Sequence, residues 1–99
     1  MTVLVNAPLL GMASGIENAG AATMAGTSAG AAAPVSAVLP PGAEDASVAA
    51  AAAFQARAAE TLAILSQLTV VRGLFANTIG TSAFAYLTTD AINEATVAL

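Results

Sequence analysis

The sequence contains no cysteine, histidine, lysine or tryptophan, and only 8 % of its 99 residues are charged. Without His or Cys the usual zinc, iron–sulfur, haem and blue-copper ligand sets cannot be assembled, so no metal and no cofactor are expected. Thiol nucleophiles and histidine general bases are excluded with them, and no catalytic residue is expected. The cations are Arg57 and Arg72 alone, too few to neutralise a row of phosphates, so nucleic acid is not an expected partner. The first positive side chain stands as late as Arg57, far from where a Sec-type leader carries its basic region. Long apolar runs are missing too. Asn18 to Ala43 is uncharged, but it consists largely of Ala, Gly, Ser and Thr with three prolines. Leu62 to Val71 is oilier, yet it is ten residues long and flanked by Glu60 and Arg72. A membrane-spanning helix is not expected from either stretch.

Alanine fills much of what remains. Its 28 residues supply nearly half of the 58 % hydrophobic content, so the mean hydropathy of +0.81 is mostly an alanine effect. Glu17, Glu44, Asp45, Glu60, Asp90 and Glu94 bring the net charge to −4. A chain of this size forms one small domain, spanning 1–99.

Composition divides it into a helix at about 8–37, a loop at 38–44, a helix at about 45–83 and a C-terminal tail at 84–99. In the first segment Leu9, Met12, Ala13, Ile16, Gly20, Thr23, Thr27 and Ala31 recur at helical intervals, and Pro8 suits a first turn. Five glycines there each cost about 1 kcal/mol against Ala in a helix interior. Their small size in return lets another backbone approach. The loop Val38-Leu-Pro-Pro-Gly-Ala-Glu-Asp45 ends one helix at its prolines and offers Glu44 and Asp45 to cap the next. On the second helix, Phe54, Ala58, Thr61, Leu65, Leu68, Phe75 and Ile79 share one face, which Leu62, Ile64 and Val71 widen to about half the circumference at 100° per residue. A single neighbouring helix cannot cover that arc. The expected fold is therefore all-α, an antiparallel two-helix hairpin that completes an elongated four-helix bundle with a partner hairpin.

Several short patterns fall within these segments. Gly26-Thr-Ser-Ala-Gly30 matches the nucleophile elbow of lipases, but it falls inside a helix in a chain without His, so it is a chance match. Gly11/Gly15 and Gly26/Gly30 are spaced as close-packing sites for a second helix. Arg57 and Glu60 are spaced for a solvated i,i+3 pair. Arg72 falls within the apolar arc and has two readings: its stem packs while its head reaches the edge, or it pairs with a carboxylate of a partner chain. Gly80, Thr81 and Ser82 loosen the second helix, after which Tyr86 and Asp90 stand four apart. The residues alone favour a frayed helix end there.

Taken together, the early Pro8, the Ala/Gly-rich first helix, the Val38–Asp45 loop, the Ala-rich approach to Phe54, the Leu74-Phe-Ala-Asn-Thr-Ile-Gly80 run and Tyr86-x-x-x-Asp90 resemble the mycobacterial PE family over essentially the whole chain. The resemblance implies a hairpin that forms a 1:1 heterodimer with a PPE-family protein. It also implies synthesis in the cytoplasm and export to the cell envelope or beyond by a type VII (ESX) secretion system. Tyr86 and Asp90 would map onto the family's Y-x-x-x-D/E secretion signal, recognised by the secretion ATPase. An EspG-type chaperone would act indirectly, through the PPE partner. The chain departs from the family at its namesake Pro-Glu, because Leu9 follows Pro8. No extension is expected beyond the nine residues after Asp90.

The expected function is that of a non-enzymatic secreted interaction protein. Phe54, Ala58, Leu62, Leu65, Leu68, Arg72, Phe75, Ile79 and Ile16 would form the partner interface. The alternative is a membrane-active amphipathic protein of the mycobacterial outer envelope. Net negative charge and scarce Arg weigh against its attraction to anionic lipid.

Overall fold

The computed structural model describes residues 4–98. Two helices account for nearly all of them: α1, Ala7–Ser36, and α2, Asp45–Val97. No strand occurs among the described residues.

Each helix begins at a cap. Asn6 accepts the Leu9 N–H on its side-chain oxygen at 3.1 Å, and its carbonyl accepts the Leu10 N–H at 3.1 Å. That makes Asn6 the N-cap of α1 and puts Pro8 in the first turn, where no intrahelical partner awaits its missing N–H. Pro34 lies inside α1 but only two residues from its end, so little of the hydrogen-bond ladder is lost. At α2 the Glu44 carbonyl accepts from the Val48 N–H at 3.2 Å, while the Ser47 hydroxyl donates to the Glu44 carboxylate at 2.6 Å. The Ser47 hydroxyl, and then Glu44's own backbone N–H, hold that carboxyl below the usual carboxylate range.

The second helix does not stop near Ala83. It continues as one helix to Val97, through the segment the sequence reads as a loosened tail. The hydroxyls there bond back along the helix instead of breaking it. Thr81 donates to the Asn77 carbonyl, Ser82 to Thr78, Thr88 to Phe84 and Thr96 to Ile92, at 2.9 to 3.0 Å. No proline interrupts the run after Pro41. At this length α2 contains a stretch long and apolar enough, by length and composition, to cross a membrane. The shorter Leu62–Val71 run did not suggest it.

The chain divides into two compact units. One consists of Ala22–Val70, the other of residues up to Ala21 together with those from Val71 onward. Within the first, the end of α1 and the start of α2 form an antiparallel hairpin around the Pro/Gly loop. The Gln55 amide donates to the Val38 carbonyl at 2.8 Å and ties loop to helix. Its seam consists of half-buried Met24, Ser28 and Ala31 on α1 and of Ala51, Ala58, Leu62, Leu65 and Thr69 on α2. Within the second unit, Leu10, Ser14, Glu17 and Ala21 of α1 match Arg72, Ala76, Ile79 and Ala83 of α2. The Ser14 hydroxyl donates to the Ala76 carbonyl at 2.7 Å. In both units the seam residues alternate at intervals of four and three, the repeat of two helices packed side by side.

The buried described residues, Ala7, Ala51, Ala76 and Ala83, are all small, with Leu10, Leu62, Leu65 and Ile79 half-buried along the seams. Other large side chains flank the contact: Phe54 remains 65 % exposed, Leu68 49 % and Phe75 55 %. Close approach does not involve the two G-x-x-x-G pairs. A Cβ on Gly11, Gly15, Gly26 or Gly30 would meet nothing within 4 Å, so these glycines take no part in the packing of α1 on α2. The contact glycines are Gly20, where a Cβ would collide with the Arg72 guanidinium, and Gly80, where it would stand 3.1 Å from the Ser14 hydroxyl.

Candidate protein-interaction site

The expected interface residues separate into those that the hairpin uses itself and those that it leaves open. Ala58, Leu62, Leu65 and Ile79 are half-buried along the intrachain seams, with only their outer edges available. Ile16, Phe54, Leu68 and Phe75 are exposed, Ile16 from α1 and the other three from α2.

Two open grooves run alongside the seams. In the unit around the loop, Phe54, Ala58, Leu62 and Leu65 line a groove of about 390 Å³, with Val35 and Val38 opposite. In the other unit, Phe75, Ile79 and Tyr86 line a groove of about 660 Å³, with Leu4, Val5, Leu9 and Leu10 opposite. The structure thus groups the expected residues as Phe54-Ala58-Leu62-Leu65 and as Phe75-Ile79-Tyr86. Leu68 and Ile16 line neither groove. Groove walls of this kind offer bulky apolar surface that suits packing against another helix.

Arg72 pairs within the chain: its Nε donates to the Glu17 carboxylate at 2.8 Å. Both side chains are partly exposed where α1 and α2 cross. Gly20 leaves the room that the guanidinium occupies. The Arg57–Glu60 pair forms as the spacing implied, at 3.3 Å and in solvent. Ser28 of the lipase-like pattern lies half-buried in the middle of α1, not at a strand-to-helix turn. Among the described residues, no group of three or more His, Cys, Asp or Glu is gathered as a metal site.

Tyr86 and Asp90 stand one turn apart on intact helix, four residues along α2. They continue the seam spacing beyond Ala83, at three and then four residues. They therefore project on the α1 side of α2, at the level where α1 begins. The side chains of Leu4 and Val5 border the same hollow as Tyr86, Thr89 and Asp90. The sequence gives little warning of the part played by Leu4, Val5, Ser14, Glu17 and Gly20. The one readable clue was Asn6 two residues before Pro8, a cap placed to start α1 directly after Leu4 and Val5.

Comparison with known families matches residues 3–93 to the model described as the PE family. Comparison with curated proteins and with solved structures returned no match.

Proposed function

Because the chain belongs to the PE family, we propose that it is the PE half of a PE–PPE pair, a non-enzymatic protein that is completed by its partner and exported by a type VII system. The observation that carries this reading is the apolar surface left open on each unit: Phe54 and Leu68 in one are 65 % and 49 % exposed, and Phe75 and Ile16 in the other are 55 % and 64 % exposed. A partner hairpin laid along these residues would turn a two-helix layer into a four-helix bundle with an enclosed core.

In this reading Tyr86 and Asp90 are the export signal. Both are open to a binding protein, since Tyr86 is 43 % exposed and Asp90 is at the surface. An EspG-type chaperone would reach the chain only through the PPE partner, and the secretion ATPase would read the signal. The test is export of Tyr86→Ala from cells that also make the partner. Loss of the secreted chain with the heterodimer still intact is the expected result. If the variant fails to pair, Tyr86 is a structural residue and the assignment is wrong.

A second reading has one observation in its favour: α2 is long and apolar enough to cross a membrane by composition. A membrane-active envelope protein would bind lipid by itself. Flotation of the isolated chain with vesicles of neutral phosphatidylcholine separates the two, since firm binding there would favour the envelope role.

A further inference from the structure

The sequence points to Tyr86 and Asp90 as a two-residue signal, yet the fold sets a third element beside them. Leu4 and Val5 precede the Asn6 cap and lie beside α2. Three neighbouring hollows share these two residues as a wall: one with Phe75, Ile79 and Tyr86, one with Leu87 and Asp90, and one with Tyr86, Thr89 and Asp90. Val5 is half-buried and holds the segment in place, while Leu4 is 90 % exposed and presents its whole side chain. We infer that Leu4 and Val5, together with Tyr86 and Asp90, form one docking groove, and that it takes a partner segment carrying a bulky apolar side chain next to a basic one. The inference rests on the reading of Tyr86 and Asp90 as an export signal and names the residues that complete it.

Charge decides the occupant. Along this end of α2 the charged groups are Asp90 and, one turn further, Glu94. The one basic side chain described in this unit is Arg72, which is engaged with Glu17 and lies five turns earlier. An apolar floor with a carboxylate rim attracts a cation beside an apolar anchor and repels an acidic segment. Leu4 supplies apolar area that the fold does not use, because a side chain this exposed contributes almost nothing to packing.

Leu4→Asp therefore leaves the hairpin intact and damages only the groove, adding a second carboxylate where the apolar anchor would seat. The experiment compares export of the full chain, made with its partner, for wild type, Leu4→Asp, Leu4→Met, Val5→Asp and Tyr86→Ala. It scores the secreted fraction by immunoblot and pairing by size exclusion. The groove predicts at least a tenfold drop in export for Leu4→Asp and Tyr86→Ala, wild-type export for Leu4→Met, and wild-type pairing for Leu4→Asp. Wild-type export of both Leu4→Asp and Val5→Asp, with Tyr86→Ala blocked, overturns the groove and leaves the two-residue signal standing. Wild-type export of Tyr86→Ala overturns both.

Discussion

At the scale of single residues, the contact between Arg72 and Glu17 does more than fill space. The seams are chiefly Ala, Ser and Leu on a seven-residue repeat, so sliding one helix by a heptad would still match small side chains to small ones. A charged pair at one level removes that freedom, because any slip leaves both ions unpaired at a partly covered site. Glu17→Gln should destabilise the partnered complex by roughly 1 kcal/mol, read from urea unfolding. Gly20→Ala tests the same contact from the other side. In an open helix this change gains about 1 kcal/mol, as Gly11→Ala should, since its Cβ meets nothing. At Gly20 the new methyl displaces the guanidinium, so urea unfolding of the partnered complex should show a gain in stability for Gly11→Ala and no such gain for Gly20→Ala. Equal gains would mean that the ion pair does not hold Arg72 in place.

Glu44 offers a check by pH. Its carboxyl is held low in the folded chain by the Ser47 hydroxyl. A depressed folded value means that the cap contributes above the ordinary carboxylate pKa and loses its contribution as pH falls through the lower, folded value. Ser47→Ala should raise the titration midpoint of Glu44, followed by carboxyl NMR. An unchanged midpoint would assign the shift to the backbone N–H instead.

At the scale of elements, the start and end of α1 were legible and the end of α2 was not. The Pro/Gly loop and the early proline are strong local signals, and they bracket α1 to within a residue: about 8–37 was expected and Ala7–Ser36 is found. Gly80-Thr-Ser82 reads as a weak point by propensity. What propensity omits is that the hydroxyls bond to carbonyls one turn back, and that Gly80 is where the Ser14 hydroxyl comes close. Tyr86 and Asp90 consequently stand on continuous helix, one turn apart. Gly80→Pro removes one ladder bond and clashes with the preceding turn, at about 3 kcal/mol or more. It should uncouple the last turns and reduce export as strongly as Tyr86→Ala, with the loop-side unit left helical by hydrogen exchange. Full export of Gly80→Pro would show that the signal needs no continuous helix.

At the scale of the whole molecule, the sequence points to apolar surface that one neighbouring helix cannot cover, and Phe54, Leu68 and Phe75 are exposed in the structure. The broad arc around Phe54 was legible because its apolar residues recur at helical spacing over more than six turns. The seam within it was not, since Ala at every position looks alike until a partner helix selects a face. The pairing of Arg72 with Glu17 was hidden for the same reason. It depends on the level at which Glu17 crosses Arg72, which no single helix encodes. Membership of the PE family is consistent with a chain whose buried described residues are four alanines and whose largest side chains face outward.

Dependence on a partner is tested most directly by purifying the chain alone and co-expressed with candidate PPE proteins, then comparing mass by size exclusion with light scattering and helix content by circular dichroism. A soluble 1:1 complex of high helicity, beside a lone chain that aggregates or loses helix, is the result predicted by the exposed apolar surface. A lone chain that runs as a fully helical monomer or homodimer would contradict it, because the apolar faces would then be satisfied without a PPE protein.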